Sequence, residues 1–170
     1  LLNGVLRNFQ RKRGAFETAL EADLTYRYSH PQWMVEMLRK AWPDDWQAVL
    51  KAGNEPPPMW LRINPRRGNV TEYRKRLREA IGEPGVTLAG VPDGVCLKKP
   101  VPVDELPGFA AGDVSVQDAA SQIAVDLIDP QAGLRVLDAC AAPGGKTAHL
   151  LERESKLRKL VALDVSVERL

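Results

Sequence analysis

Apolar positions recur along this chain first at helical spacing and later at strand spacing. Leu2, Val5, Leu6 and Phe9 fall at i, i+3, i+4 and i+7, one face of a helix. Arg11-Lys12-Arg13-Gly14 then supplies cations for its last turn and a glycine stop. Ser29-His30-Pro31 reads as an N-cap with proline in the first turn of the next helix. Met34, Met37, Leu38 and Ala41 form its buried stripe, and Pro43 ends it. A short helix opens at Asp44 or Asp45, turns Trp46, Val49 and Leu50 inward and stops at Gly53. Trp33, Trp42 and Trp46 sit at core spacing, although indoles can also stack on bases. His30, beside a proline, is a turn residue to which no role falls.

The pattern changes after Pro56-Pro57-Pro58, a stiff extended connector. Residues 59–64 alternate as a strand does. Thr71 caps a predicted helix over 72–81, ended by Gly82, with Tyr73, Leu77, Ala80 and Ile81 on its apolar side. Short strands are predicted around 86–88 and 95–97, joined through Pro92-Asp93-Gly94. The segment is a small mixed βαββ unit. Leu106-Pro107-Gly108-Phe109 turns the chain toward 114–118, and a domain border is expected near Ala111. Asp118 caps a helix with Ile123, Ala124, Leu127 and Ile128 as its buried face, ended by Asp129-Pro130. That helix is predicted to pack on a sheet beginning at Leu134.

Composition narrows the class without choosing a function. Of 170 residues, 44% are hydrophobic and 27% charged, ordinary for a globular protein. No apolar run approaches the roughly 18 residues a membrane-spanning helix needs, and the start carries no secretory pattern. A cytoplasmic location is expected. Cys96 and Cys140 are far apart and in no C-x-x-C pair, which argues against a zinc site or a disulfide scaffold. A net charge of +2 carries no argument for nucleic acid. The distribution carries more: Arg62, Arg66, Arg67, Arg74, Lys75, Arg78, Lys98 and Lys99 outnumber the acids of the βαββ unit, an electrostatic footprint of RNA binding. A solvated helix face with Glu72 and Glu79 as counter-charges explains the same residues equally well.

The chemistry concentrates further on. The apolar run 134–137 reads as a buried strand, followed by Asp138-Ala139-Cys140-Ala141-Ala142-Pro143-Gly144-Gly145-Lys146-Thr147 and a helical pattern. Strand, small-residue loop and helix start give a nucleotide-like ligand closely approachable amides and a positive helix end. A second run, 160–163, ends in Asp164, about 20 residues past the glycines, where a parallel strand presents a carboxylate to ribose hydroxyls. Gly145-Lys146-Thr147 looks like the end of a Walker A loop, but that pattern needs glycine where Cys140 stands. G-x-G-x-x-G is also absent. S-adenosylmethionine remains the candidate, with its carboxylate at the helix start and its ribose at Asp164. Asp138 is either a turn residue at the strand end or a ligand. Since two strands cannot close a doubly wound sheet, the chain is expected to be part of a longer protein.

These loop residues resemble the first motif of the RNA cytosine-5 methyltransferases of the Sun/Fmu family. Pro56-Pro57-Pro58-Met59-Trp60-Leu61-Arg62-Ile63-Asn64, Leu106-Pro107-Gly108-Phe109 and Val116-Gln117-Asp118 look like that family too. The resemblance implies an α/β chain holding the beginning of a Rossmann-like S-adenosylmethionine methyltransferase domain. It implies three segments: 1–27 as the last helix of an all-α domain, 28–110 as a small α+β RNA-binding domain, and 111–170 as the start of the methyltransferase domain. It further implies S-adenosylmethionine as cofactor, held by Cys140, Ala141, Ala142, Pro143, Gly144, Gly145, Lys146 and Asp164, and 16S rRNA as partner; a monomer is expected. In that family a cysteine thiolate adds to carbon 6 of cytosine, so that carbon 5 can take the methyl group. The family's cysteines lie in Pro-Cys and Thr-Cys motifs well beyond the loop, and no cysteine follows Cys140 here. The implied catalytic set within this stretch is therefore none; Lys146 is a candidate for orienting base or cofactor, and the stretch alone is expected to bind without catalysing. The competing expectation is a non-catalytic RNA-binding module for ribosome assembly.

Overall fold

Helix α1 (Leu2–Leu20) runs through Gly14 instead of stopping there. A lone helical glycine costs only about 1 kcal/mol, and the exposed Arg13–Glu17 pair at 2.7 Å in the next turn recovers part of it; the Thr18 hydroxyl also donates to the Gly14 carbonyl. The computed structural model describes residues 1–169. They divide into two compact units, one over Leu1–Pro57 and one from Pro58 onward.

The first unit is all helical. Asp23 accepts N–H bonds from Thr25 and Tyr26 and caps a helix absent from the sequence reading, α2 (Leu24–Tyr28). Ser29 is not the N-cap of the next helix; it ends α2 in the left-handed region, at φ 55°. Helix α3 (Gln32–Ala41) starts after Pro31, and α4 (Trp46–Gly53) follows. Their shared core is Tyr28, Val35 and Leu50, with Leu24, Leu38 and Trp46 against it. Val35 thus takes the place expected of Met37, and of the three indoles only Trp46 joins the core; Trp33 and Trp42 are exposed. Asn54 and His30 each bond the Tyr28 carbonyl, so His30 tethers a turn.

The second unit begins with strand β1 (Met59–Ile63), central in a sheet of order β2-β1-β3. Strands β2 (Gly94–Leu97) and β3 (Val114–Val116) both pair antiparallel with it. The predicted strand at 86–88 is reduced to a single bridge between Val86 and Cys96. Helix α5 (Val70–Ile81) is capped by Asn69, whose side chain accepts from Glu72, and not by Thr71. Gly82 ends it at φ 77°. Tyr73 and Leu77 of α5 pack on Leu61, Ile63, Val95, Leu97, Leu106 and Val114.

Helix α6 (Ala119–Ile128) is capped by Asp118 as predicted, but the opposite face is buried. Gln122 and Val125 point inward, and Gln122 Nε2 donates to the carbonyls of Leu61 and Gln117. Ile123, Leu127 and Ile128 are exposed. Strand β4 (Arg135–Asp138), helix α7 (Gly145–Arg153) and strand β5 (Lys159–Ala162) then form a parallel βαβ unit with Val136 opposite Leu160. The architecture is the α/β class expected: a small α+β sheet followed by the start of a Rossmann-like domain. Among the described residues no helix is long and apolar enough to cross a membrane.

His149 on α7 is 1% exposed, and among the described residues neither ring nitrogen has a partner. Burial, then Arg62 and Arg153, pushes its pKa from 6.5 down to about 4. Below about pH 6.5 the unfolded chain takes up a proton on this ring that the folded chain refuses until about 4. Stability should therefore fall as pH drops through that window and level off beneath it. Thermal midpoints measured across it should decline, and His149→Leu should make the decline shallower. A slope indifferent to the substitution would assign the loss to other groups.

Candidate functional site

The end of β4 and the start of α7 face each other across six small or exposed residues, and hydrogen bonds set the shape of that bend. Asp138, the last residue of β4, accepts from the Thr147 hydroxyl at 2.7 Å and the Cys140 amide at 3.3 Å. It clasps the strand end to the first turn of the helix, which favours the turn reading of this residue. Leu163 donates to the Asp138 carbonyl, and Ala141 donates back to Leu163, so the loop is sewn to the end of β5. The Ala142–Pro143 peptide is cis, and Gly144 sits at φ 94°, a conformation glycine adopts without a Cβ penalty.

Asp164 is brought to this loop, as the sequence spacing predicts. Its carboxylate accepts from the amides of Ala142 and Ser166, each at 2.9 Å, and its side chain is 7% exposed. The Ser166 bond, then the Ala142 bond, holds its pKa below the ordinary carboxylate value. The same carboxylate thus shapes the loop it was expected to complement. Ala141 is buried, Ala142 half-buried, and Cys140, Pro143 and Lys146 are exposed.

The loop has the free groups an anionic ligand needs. Among the described residues the amides of Gly145, Lys146 and Thr147 donate to no acceptor, and no side chain caps α7. A Cβ built at Gly144 would meet nothing within 4 Å. Three unsatisfied donors at a helix start, next to a glycine with open space around it, suit a carboxylate, so these residues fit the methionyl end of S-adenosylmethionine. No group of three or more metal-ligating side chains occurs among the described residues.

The cationic set divides. Arg62 is fully buried and leaves any RNA-facing surface. Its Nε and Nη2 hold both oxygens of Glu152, at 2.9 and 2.8 Å, while Nη1 donates to the Gly145 carbonyl at 2.9 Å and to Gln117 Oε1. Arg74 is spent on the carbonyls of Pro84 and Gly85, Arg67 pairs with Asp113, and Arg66 reaches the Leu151 carbonyl. Lys75, Arg78, Lys98 and Lys99 stay exposed, with no ion pair among the described residues. Sequence reasoning missed Arg62, Gln117 and Glu152 as supports of the loop.

Known proteins resemble this chain in sequence and fold. A family model described as an RsmF/B-like methyltransferase, ferredoxin-like domain, matches residues 30–104, and one described as 16S rRNA methyltransferase RsmB/F matches 125–170. The ribosomal RNA small subunit methyltransferase B of Vibrio cholerae is 44% identical over the whole chain, which covers 39% of that protein. The chain thus spans about two-fifths of the length of the curated relatives it matches. The crystal structure of PH0851 superposes with a TM-score of 0.77 at 32% identity, over 86% of this chain and 33% of its own. A methyltransferase homologue from Pyrococcus horikoshii does so at 0.68 and 28%, over 85% of this chain and 48% of its own.

The loop geometry carries its own test. Gly144→Ala places a Cβ in the left-handed region and should cost about 1–2 kcal/mol, read as a lowered midpoint in urea unfolding. An unchanged midpoint would show that the bend does not require this conformation.

Proposed function

This chain belongs to the RsmB/F methyltransferase family, and from that membership we propose that its protein methylates carbon 5 of a cytosine in 16S rRNA. The observation that carries the proposal is the loop Cys140–Lys146, with free amides at the start of α7 and Asp164 drawn against it. In this reading Cys140, Ala141, Ala142, Pro143, Gly144, Gly145 and Lys146 line the cofactor, and Asp164 takes its ribose hydroxyls on lone pairs left by Ala142 and Ser166. S-adenosylmethionine, when bound, supplies the methyl group on a sulfonium. The chain's own part is to seat the carboxylate on the amides of Gly145–Thr147 and to keep the loop's shape through Asp138.

The partition into 1–27, 28–110 and 111–170 belongs to the same proposal, with the first two parts serving RNA. Strand β3, beyond the expected border at Ala111, pairs with β1, so the sheet draws its third strand from the following segment. The thiol that adds to cytosine and the second cysteine of the reaction are assigned to Pro-Cys and Thr-Cys motifs outside this chain, and this stretch by itself is expected to be inactive. The enzyme is read as a cytoplasmic monomer.

The full-length protein should transfer labelled methyl from S-adenosylmethionine to carbon 5 of a cytosine in 16S rRNA, read by nucleoside mass spectrometry. Methyl on a base nitrogen or a ribose oxygen would overturn the reaction type. RNA binding with no transfer at all would favour a non-catalytic assembly module. Replacing Lys98 and Lys99 with Ala should lower the slope of log affinity against log salt by about one per lost phosphate contact. An unaltered slope would return these lysines to the solvated surface.

A further inference from the structure

Arg62 stands on the central strand of the small sheet, yet its strongest partners lie on another element. Gly145 and Glu152 lie about two turns apart on one face of α7, and one guanidinium engages both. Its fork grips the Glu152 carboxylate, while Nη1 fixes the Gly145 carbonyl and the Gln117 amide. Gly145 is the first residue of α7 and one of the three with an unsatisfied amide. Two other contacts hold the same helix to the same sheet: Arg66 donates to the Leu151 carbonyl at 3.4 Å, and Arg153 pairs at 3.2 Å with Asp93, one residue before β2. The helix start that faces the cofactor is therefore set from the small sheet, and the βαβ unit does not fix it alone.

We infer that Arg62 is a positioning residue for S-adenosylmethionine, acting through the Gly145 carbonyl and Gln117 to aim the free amides at the start of α7. The inference rests on the proposed function of this loop. It makes the small sheet part of the methyl-donor site as well as an RNA platform. Lysine at position 62 would keep a buried cation opposite Glu152, but a compact ammonium cannot span Glu152, Gly145 and Gln117 together.

The test uses the full-length protein. Arg62→Lys should raise the Kd and KM for S-adenosylmethionine about tenfold, as a small misplacement of binding groups does, with a smaller change in kcat. Leu77→Ala, in the α5–β1 core away from the loop, serves as the stability control: it should lower Tm at least as far and leave both constants unchanged. If Arg62→Lys does not fold, Gln117→Leu carries the same expectation. Unchanged cofactor affinity in the folded Arg62 or Gln117 variant, or a rise in Leu77→Ala that tracks Tm, would overturn the inference. Failure of the unsubstituted protein to bind S-adenosylmethionine would instead remove the function proposed for the loop.

Discussion

A guanidinium with no exposure has to be paired, because an isolated charge in the interior costs far more than a fold can spare. Arg62 meets that constraint with a bidentate carboxylate, a side-chain amide and a backbone carbonyl. Each acceptor comes from outside β1, so satisfying the charge also fixes where α7 and the 114–118 segment lie against the small sheet. Apolar packing would tolerate a slide of a few tenths of an ångström; a fork with four oxygen partners tolerates far less. The buried polar seam thus specifies geometry, while the cluster around Leu61, Ile63, Tyr73 and Leu77 supplies most of the burial.

Around that seam, the loop between β4 and α7 is held largely by its own chain. Asp138 secures the helix side through Thr147, and Asp164 secures the strand side through Ala142. The two carboxylates cost nothing in unpaired charge, since each accepts from donors that the turn leaves free. Left open at the helix start, among the described residues, are the amides of Gly145, Lys146 and Thr147. This division, a satisfied frame around a few open donors, is how a rigid element presents a binding surface.

Much of this was legible in the chain. Helix α7, the loop and the distance to Asp164 follow from apolar runs broken by small residues, and the Asp118 cap follows from local chemistry alone. Other features depended on non-local packing. Alternation along 59–64 puts Arg62 on the face opposite Leu61 and Ile63, which a two-layer unit would leave to solvent. The structure covers both faces, and the sequence carries no signal for a second cover contributed by residues 115–152. Helix α6 misled for the same reason: its most apolar stripe is not its buried one, because Gln122 is drawn in to bond the carbonyls of β1. At Gly14 a local stop signal lost to the helix-forming residues that follow it.

The two thiols stand in contrasting surroundings. Cys140 is exposed in the loop, whereas Cys96 is half-buried, with burial and Glu83 raising its pKa. Since the thiolate is the reacting form, an electrophilic dye would label Cys140 well ahead of Cys96. The chain thereby carries a built-in attachment point for a label at the bend, set apart from the small sheet's own thiol.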